Sequence, residues 1–212
     1  MKKINFQTAV LDDLVQVVKI KSGRTLNIFA EWFNFHYSLS EKEENFLLAL
    51  IDYHKDYVAS YSEEDLKMYF ISPIINEIRF HTETRRGFYE KTLKAIINGV
   101  EFSGKTDFMV AMGIKIPVKP YFFIQEFKQT KHSVDVEDQL LAEMLVAIEL
   151  NKTNRMRGAY ILGRYWHFVI LEKNVDDSYQ YYISDSCDSL NFNGLKQIFI
   201  CLQAVKLVFC ND

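Results

Sequence analysis

The feature that most restricts this chain is an Asn-Gly pair, Asn98-Gly99, between two long strand-like runs, residues 88–97 (Phe-Tyr-Glu-Lys-Thr-Leu-Lys-Ala-Ile-Ile) and 100–112. A two-residue hairpin turn needs positive φ, which Asn and Gly tolerate best, so the pair predicts an antiparallel hairpin. A longer turn over Gly113–Pro120 and a third strand at Tyr121–Gln129 extend it into a three-strand meander. From Val136 to Asn151 the apolar period lengthens to that of a helix, through Leu140, Leu141, Met144, Leu145 and Ile148. Strand-like runs follow at 158–163, 165–172 and 179–184. Leu195, Ile198, Phe199, Leu202, Val205 and Phe209 then mark an amphipathic helix.

Upstream of the meander, residues 14–29 read as a hairpin: Val15, Val17, Val18 and Ile20, a Lys21-Ser-Gly-Arg24 turn, then Leu26, Ile28 and Phe29. Ser40-Glu-Lys-Glu43 is a capping box, and Phe46, Leu47, Leu50, His54, Tyr57 and Val58 follow at helical spacing. His54 on that stripe reads as a hydrogen-bonded interior histidine. Ser62-Glu-Glu-Asp65 starts a second helix through Leu66, Met68, Tyr69 and Phe70, which Pro73 kinks or restarts toward Phe80. The expected class is mixed α/β (α+β), helices covering a sheet. One unit over 1–212 is expected, with a hairpin and helical extension over 1–61, a core over 62–172, and a C-terminal strand and helix over 173–212.

Composition removes several alternatives. At 49% hydrophobic residues with only 8 Gly and 3 Pro, the 212-residue chain has the apolar surface that disordered, collagen-like or linker-rich chains lack. Cys187, Cys201 and Cys210 are odd in number and form no CxxC pair, which suits a reducing compartment and buried thiols rather than a disulfide framework. The histidines (His36, His54, His81, His132, His167) stand at no zinc-ligand spacing with them. Asp12 and Asp13 interrupt any apolar stretch behind Met1-Lys-Lys, and no uncharged run approaches the roughly 20 residues a membrane span needs. A cytoplasmic protein without a membrane partner is the expectation.

Three side chains on the meander carry chemistry: Asp107 in Ser103-Gly-Lys-Thr-Asp-Phe108, and Glu126 and Lys128 in Phe122-Phe-Ile-Gln-Glu-Phe-Lys128. Alternation along a strand puts Glu126 and Lys128 on one face and Phe127 on the other. Asp107, on the antiparallel neighbour, is placed across from them. Burying a carboxylate and an ammonium in so apolar a strand costs several kcal/mol unless they are paired or bound to an ion. Two adjacent carboxylates repel and tend to take up protons, a penalty that a divalent cation removes, and hard oxygen ligands suit magnesium. Lys128 then stands ready to hold an attacking water or to neutralise charge on a phosphoryl oxygen.

This pattern resembles the PD-(D/E)XK nuclease superfamily, the restriction-endonuclease-like fold, over about Ser62 to Gly163. The core of that family runs helix, three-strand meander, helix, strand. The resemblance implies that Asp107 and Glu126 are metal ligands, that the Phe127 backbone carbonyl completes the sphere, and that Lys128 is the catalytic lysine. Gln139, in Asp138-Gln-Leu-Leu-Ala-Glu143, matches a Gln that many members carry early in the following helix. Glu77 is the candidate for an outer metal ligand on the preceding helix. The runs Gly104-x-x-Asp-Phe, Tyr121-Phe-Phe-Ile-Gln-Glu-Phe-Lys128 and Asp138-Gln-Leu-Leu-Ala-Glu-Met-Leu145 are also similar to a group of uncharacterised bacterial proteins in that superfamily. Thr106 stands where Pro often precedes the Asp, and Glu143 stands where one branch has Tyr. The resemblance implies Mg²⁺ or Mn²⁺ as cofactor, DNA as partner, and a metal-dependent phosphodiester hydrolase; a homodimer fits, since one such site cuts one strand.

Plainer assignments exist for each residue. Glu126, Lys128 and Asp107 fit a solvated strand edge, Gln139 an ordinary first-turn residue, and Glu77 a solvent-facing helix position. Glu143 fits an exposed helix position or a partner for Lys128. A nuclease-like fold without activity, serving as an interaction protein, and a small-phosphoester hydrolase remain as alternatives. Net charge is −3, but it divides unevenly. Residues 1–70 carry 8 Lys/Arg against 11 Asp/Glu, whereas Arg79 to Lys131 carries ten against five. Arg79, Arg85, Arg86, Lys94, Lys105, Lys115, Lys119 and Lys131 are therefore candidates for a phosphate backbone.

Overall fold

The computed structural model describes residues 2–24, 26–129 and 135–210; Lys131 and His132 lie outside the described residues. In chain order, β1 (Lys3–Asn5), α1 (Leu11–Val17) and β2 (Ile20–Ser22) precede α2 (Ala30–Phe33), α3 (Glu41–His54) and α4 (Glu63–Asp65). A π-helical stretch (Leu66–Ile71) joins α4 to α5 (Ser72–Ile78). Then come β3 (Arg85–Ile97), β4 (Val100–Met112), β5 (Val118–Lys128), α6 (Val136–Asn151), β6 (Arg155–Leu162), β7 (Tyr165–Lys173), β8 (Tyr179–Ile183) and β9 (Cys187–Asp188). Helix α7 (Phe192–Ala204) runs on into a π-helical stretch, Val205–Phe209.

Among the described residues the strands form one mixed sheet in the order β1-β4-β5-β6-β7-β8-β2, with β3 also on β4 and β9 on β7. The meander β3–β4–β5 is antiparallel, β5–β6 is parallel, and β6–β7–β8 is antiparallel again. At the Asn98-Gly99 turn both residues hold positive φ, 48° and 78°, as the hairpin requires. Helices lie on both faces, so the strands are apolar on alternate residues toward both sides. Phe108, Val110, Phe123 and Phe127 pack toward α2, α3, α5 and α7, whereas Met109, Ala111 and Ile124 pack toward α1 and α6. Trp32 anchors the first layer: it is buried, meets Phe123, Phe168 and Phe209 edge-on, and donates from Nε1 to the Cys201 carbonyl (2.9 Å).

Two expectations are corrected. Residues 14–29 do not form a hairpin: Leu11–Val17 is helical, and β2 pairs in parallel with β8 at the sheet edge. Long-range pairing with β8 decides the outcome there, not the local alternation of valines. The extension over 1–61 also supplies β1, which pairs in parallel with β4, so both N-terminal strands belong to the main sheet. Pro73 stands in the first turn of α5, where the helix restarts after the π-helical stretch, as expected. The Ser72 N–H reaches back five residues to the Lys67 carbonyl, and this π-turn absorbs a residue without a donor before the helix ends at Arg79, in the left-handed region (φ 57°).

Helix α3 begins with the expected capping box, Ser40 and Glu43 each binding the other's backbone N–H. His54 is buried and shares a 2.6 Å hydrogen bond with the Tyr61 hydroxyl. Cys201 and Cys210 are buried free thiols. The stretch Phe192–Phe209 has the length and apolarity of a membrane span, but Leu195, Ile198, Phe199, Leu202 and Val205 sit fully buried in the core.

One core residue is costly. Gln125 lies between Phe123 and Phe127 on the same face, fully buried, and neither amide atom has a hydrogen-bond partner among the described residues. Gln125→Leu is expected to raise stability by about 1–2 kcal/mol, because an unpaired buried amide costs that much. A urea midpoint that rises at unchanged slope checks it; a lower midpoint would reveal that the amide has a partner.

Candidate active site

The site forms where β4 and β5 part. Their ladder ends at the Phe108–Gln125 pair, so the next positions, Asp107 and Glu126, face each other without backbone pairing. Their carboxylates close the gap crosswise. The Asp107 N–H donates to Glu126 Oε1 (2.8 Å), and the Phe127 N–H donates to Asp107 Oδ2 (3.1 Å). Beyond the gap, β1 takes the place β5 has left, pairing Asn5 with Ser103. Gly104 makes room for this: a Cβ there would stand 2.6 Å from the Phe6 ring. The glycine three residues before Asp107 therefore serves the packing of the N-terminal segment.

Helix α6 supplies the other wall. Gln139 Nε2 donates to Glu126 Oε2 (2.6 Å) and to Glu143 Oε1 (3.3 Å), tying the two glutamates together. Glu126 and Glu143 are both fully buried. Burial, then the Glu143 charge, then Asp107 push Glu126 well above the usual carboxylate range. Burial pushes Glu143 up as well, against the hydrogen bonds from Glu126 and Gln139. The pair therefore holds a proton more readily than two isolated glutamates would.

Two lysines stand beside this cluster. Lys128 Nζ contacts Glu63 at 3.0 Å. Burial lowers its pKa, but the Glu63 contact, Asp107 and Glu126 outweigh this and keep it charged. Lys67, on the π-helical stretch, is buried, contacts Glu90 at 2.6 Å and lies 5.4 Å from the Phe127 ring centre. By the β3–β4 register Glu90 falls opposite Asp107, and its φ of 52° breaks the ladder at that point. A non-glycine residue in the left-handed region in mid-strand stores strain, which aims the Glu90 side chain at Lys67.

The structure thus brings together Asp107, Glu126, Lys128 and Gln139 and leaves out Glu77, which is paired with Lys42 and Arg79. The carboxylate supplied by the preceding helical segment is Glu63. Glu143, read as an exposed or Lys128-pairing residue, is instead a buried member of the cluster. At Phe127 the group seen to act is the N–H, on Asp107. Sequence reasoning missed Glu63, Lys67 and Glu90; the Ser62 capping box was the one available pointer to a helix start beside the site. The basic stretch is partly spent on structure: Arg85 binds the carbonyls of Lys206 and Cys210, Arg86 that of Ile114, and Lys94 pairs with Glu101.

The donor set suits a hard divalent cation. Three carboxylates converge, and the buried Glu143 Oε2 has no hydrogen-bond partner among the described residues. Among those residues no three His, Cys, Asp or Glu side chains stand ready as a cage, since Asp107 and Glu126 are turned onto backbone N–H groups. No protein-family model and no curated protein matches the chain. Its chemistry is therefore argued from this geometry.

Proposed function

We propose that the chain is a Mg²⁺- or Mn²⁺-dependent phosphodiester hydrolase of the PD-(D/E)XK, restriction-endonuclease-like type, acting on DNA. The observation that carries this reading is the crossed Asp107–Glu126 pair at the parting of β4 and β5, with Lys128 on the same face of β5. The order α5, β3–β4–β5, α6, β6, with β5 and β6 parallel, supports it.

Asp107 and Glu126 would hold the ion, with Glu143 behind them. When bound it supplies Lewis-acid polarisation of a phosphoryl oxygen and a lowered pKa for water. Gln139 fixes the Glu126 carboxylate against rotation. Lys128 offers an ammonium donor to the phosphoryl oxygen that gains charge as water attacks in line. Lys105, Lys115 and Lys119 would meet a phosphate backbone. Two copies would serve the two strands of a duplex.

The test is cleavage of plasmid and single-stranded DNA with Mg²⁺ or Mn²⁺. Wild type is expected to nick or degrade at least one substrate and Asp107→Ala neither; equal activity in both removes the assignment. A second reading, a non-catalytic interaction protein on the same fold, draws on the pairing of both neighbouring lysines with glutamates. Calorimetry with Mn²⁺ separates the two, since that reading requires neither metal nor DNA affinity. The full burial of Glu126 and Glu143 also admits a small phosphoester as substrate, which p-nitrophenyl phosphate esters would reveal.

A further inference from the structure

The end of α3 and the π-helical stretch before α5 carry a feature the active site does not use. A cleft of about 550 Å³ is lined by Tyr53, Tyr57, Tyr61 and Tyr69, with Asp52 and Asp56 among its walls. Tyr61 forms its fixed part: its hydroxyl is bonded to His54, and its ring meets Tyr69 edge-on at 5.9 Å. The other rings are turned outward, Tyr53 73% exposed, Tyr57 57% and Tyr69 56%, and Leu48 and Met68 are exposed on the same two elements. Aromatic side chains in such numbers on a surface are a mark of binding sites, because they offer large contact area at little entropy cost.

The charge around the rings selects the ligand. Two acids line the cleft, Asp52 and Asp56, and no lysine or arginine lines it among the described residues; Asp52 is paired with Lys55 at 2.7 Å, which leaves the Asp56 carboxylate as the charge at the rim. Lys67, the other lysine between Asp52 and Tyr69, is turned away to Glu90 at 2.6 Å. A phosphate-bearing ligand is repelled here, whereas a cation meets tyrosine faces, which attract it through their quadrupole, and the Asp56 carboxylate. Burial lowers the His54 pKa, so the imidazole under the rings adds no opposing charge at neutral pH.

We propose that this cleft docks a basic segment of a protein partner, with one arginine or lysine side chain entering between the tyrosine rings and Asp56 binding it at the rim. The proposal does not depend on the hydrolase reading.

The experiment measures binding of a fluorescent (Arg-Gly)₄ peptide to the full chain by anisotropy, with labelled (Glu-Gly)₄ and labelled oligo-dT of similar length measured in separate titrations. Wild type is expected to bind the arginine peptide saturably. Tyr53→Phe/Tyr57→Phe should keep that affinity, since phenyl rings retain the cation–π attraction, and Tyr53→Ala/Tyr57→Ala should lose about tenfold. Both tyrosines are exposed, so the fold is expected to survive. Asp56→Asn, an independent change at the rim, should weaken binding severalfold at low salt. Failure to bind the arginine peptide, equal affinity in the double alanine variant, or oligo-dT binding that the double alanine variant loses while its arginine-peptide affinity stays would each overturn the proposal, the last by making the rings a base-stacking surface.

Discussion

As pH rises from 5 to 8 the protein stripped of divalent ions with EDTA is expected to lose stability, and Glu143→Gln and Glu126→Gln are expected to lose much less. The cause is the buried pair beneath Asp107. Burial and mutual repulsion raise both folded-state pKa values well above that of an ordinary glutamate. In the unfolded chain both carboxyls titrate near 4.3. The native state therefore holds more protons than the unfolded one above that pH. The stability they contribute is full below about 4.3 and is lost as pH rises through the raised folded values. Each proton so retained makes stability fall by about 1.4 kcal/mol per pH unit. A neutral Gln removes one ionisable member and with it most of the slope. His54 acts in the opposite sense, because burial lowers its pKa, but only below about 6.5. Burial raises Cys187 to about 11 and Cys201 and Cys210 to about 12, so these thiols add a fall of the same sign only above about pH 8, where they titrate in the unfolded chain, and they do so in wild type and variants alike. Urea unfolding at pH 5, 6, 7 and 8 reads the effect directly, and parallel profiles for wild type and both variants would refute it. Mg²⁺ should flatten the wild-type profile more than that of Glu126→Gln, since ion binding replaces the proton.

The elements carrying the site were legible because their signals are local. Asn98-Gly99 specified a turn, and the alternation through Phe123, Glu126 and Lys128 set which side chains share a face. What was not legible came from contacts distant in sequence or from departures from regular periods. Glu143 reads as exposed because a helical glutamate usually is, but α6 is covered by the sheet on one side and α1 on another, with eleven residues buried. Met68 and Tyr69 read as part of an apolar stripe at 3.6-residue spacing. The π-turn adds a residue to the helix and shifts its phase, so Lys67 and Ile71 turn inward while Met68 and Tyr69 face solvent. That same phase shift brings Lys67 to Glu90. The hairpin expected over 14–29 failed because β2 finds its partner in β8, far along the chain.

On the hydrolase reading, Lys128→Met should lower the turnover rate by about 10²–10³-fold, the usual loss when one donor to a developing oxyanion is removed. Metal affinity should survive, because Asp107 and Glu126 are untouched and a neighbouring positive charge has been taken away. Calorimetry with Mn²⁺ on the same variant therefore separates lost chemistry from a damaged fold. Glu63→Gln should behave in the opposite way. Its pair with Lys128 is half open to solvent, with side-chain exposures of 41% and 24%, so its contribution to stability is at most about 1 kcal/mol. Yet Glu63 competes with substrate phosphate for the same ammonium. Removing that competitor leaves Lys128 near Asp107 and Glu126, still charged. KM should then fall by up to about fivefold with the turnover rate little changed, the equivalent of that 1 kcal/mol. If Lys128→Met turns over as fast as wild type, or loses metal binding together with activity, the lysine is structural, and Glu63 is its anchor rather than the phosphate's rival.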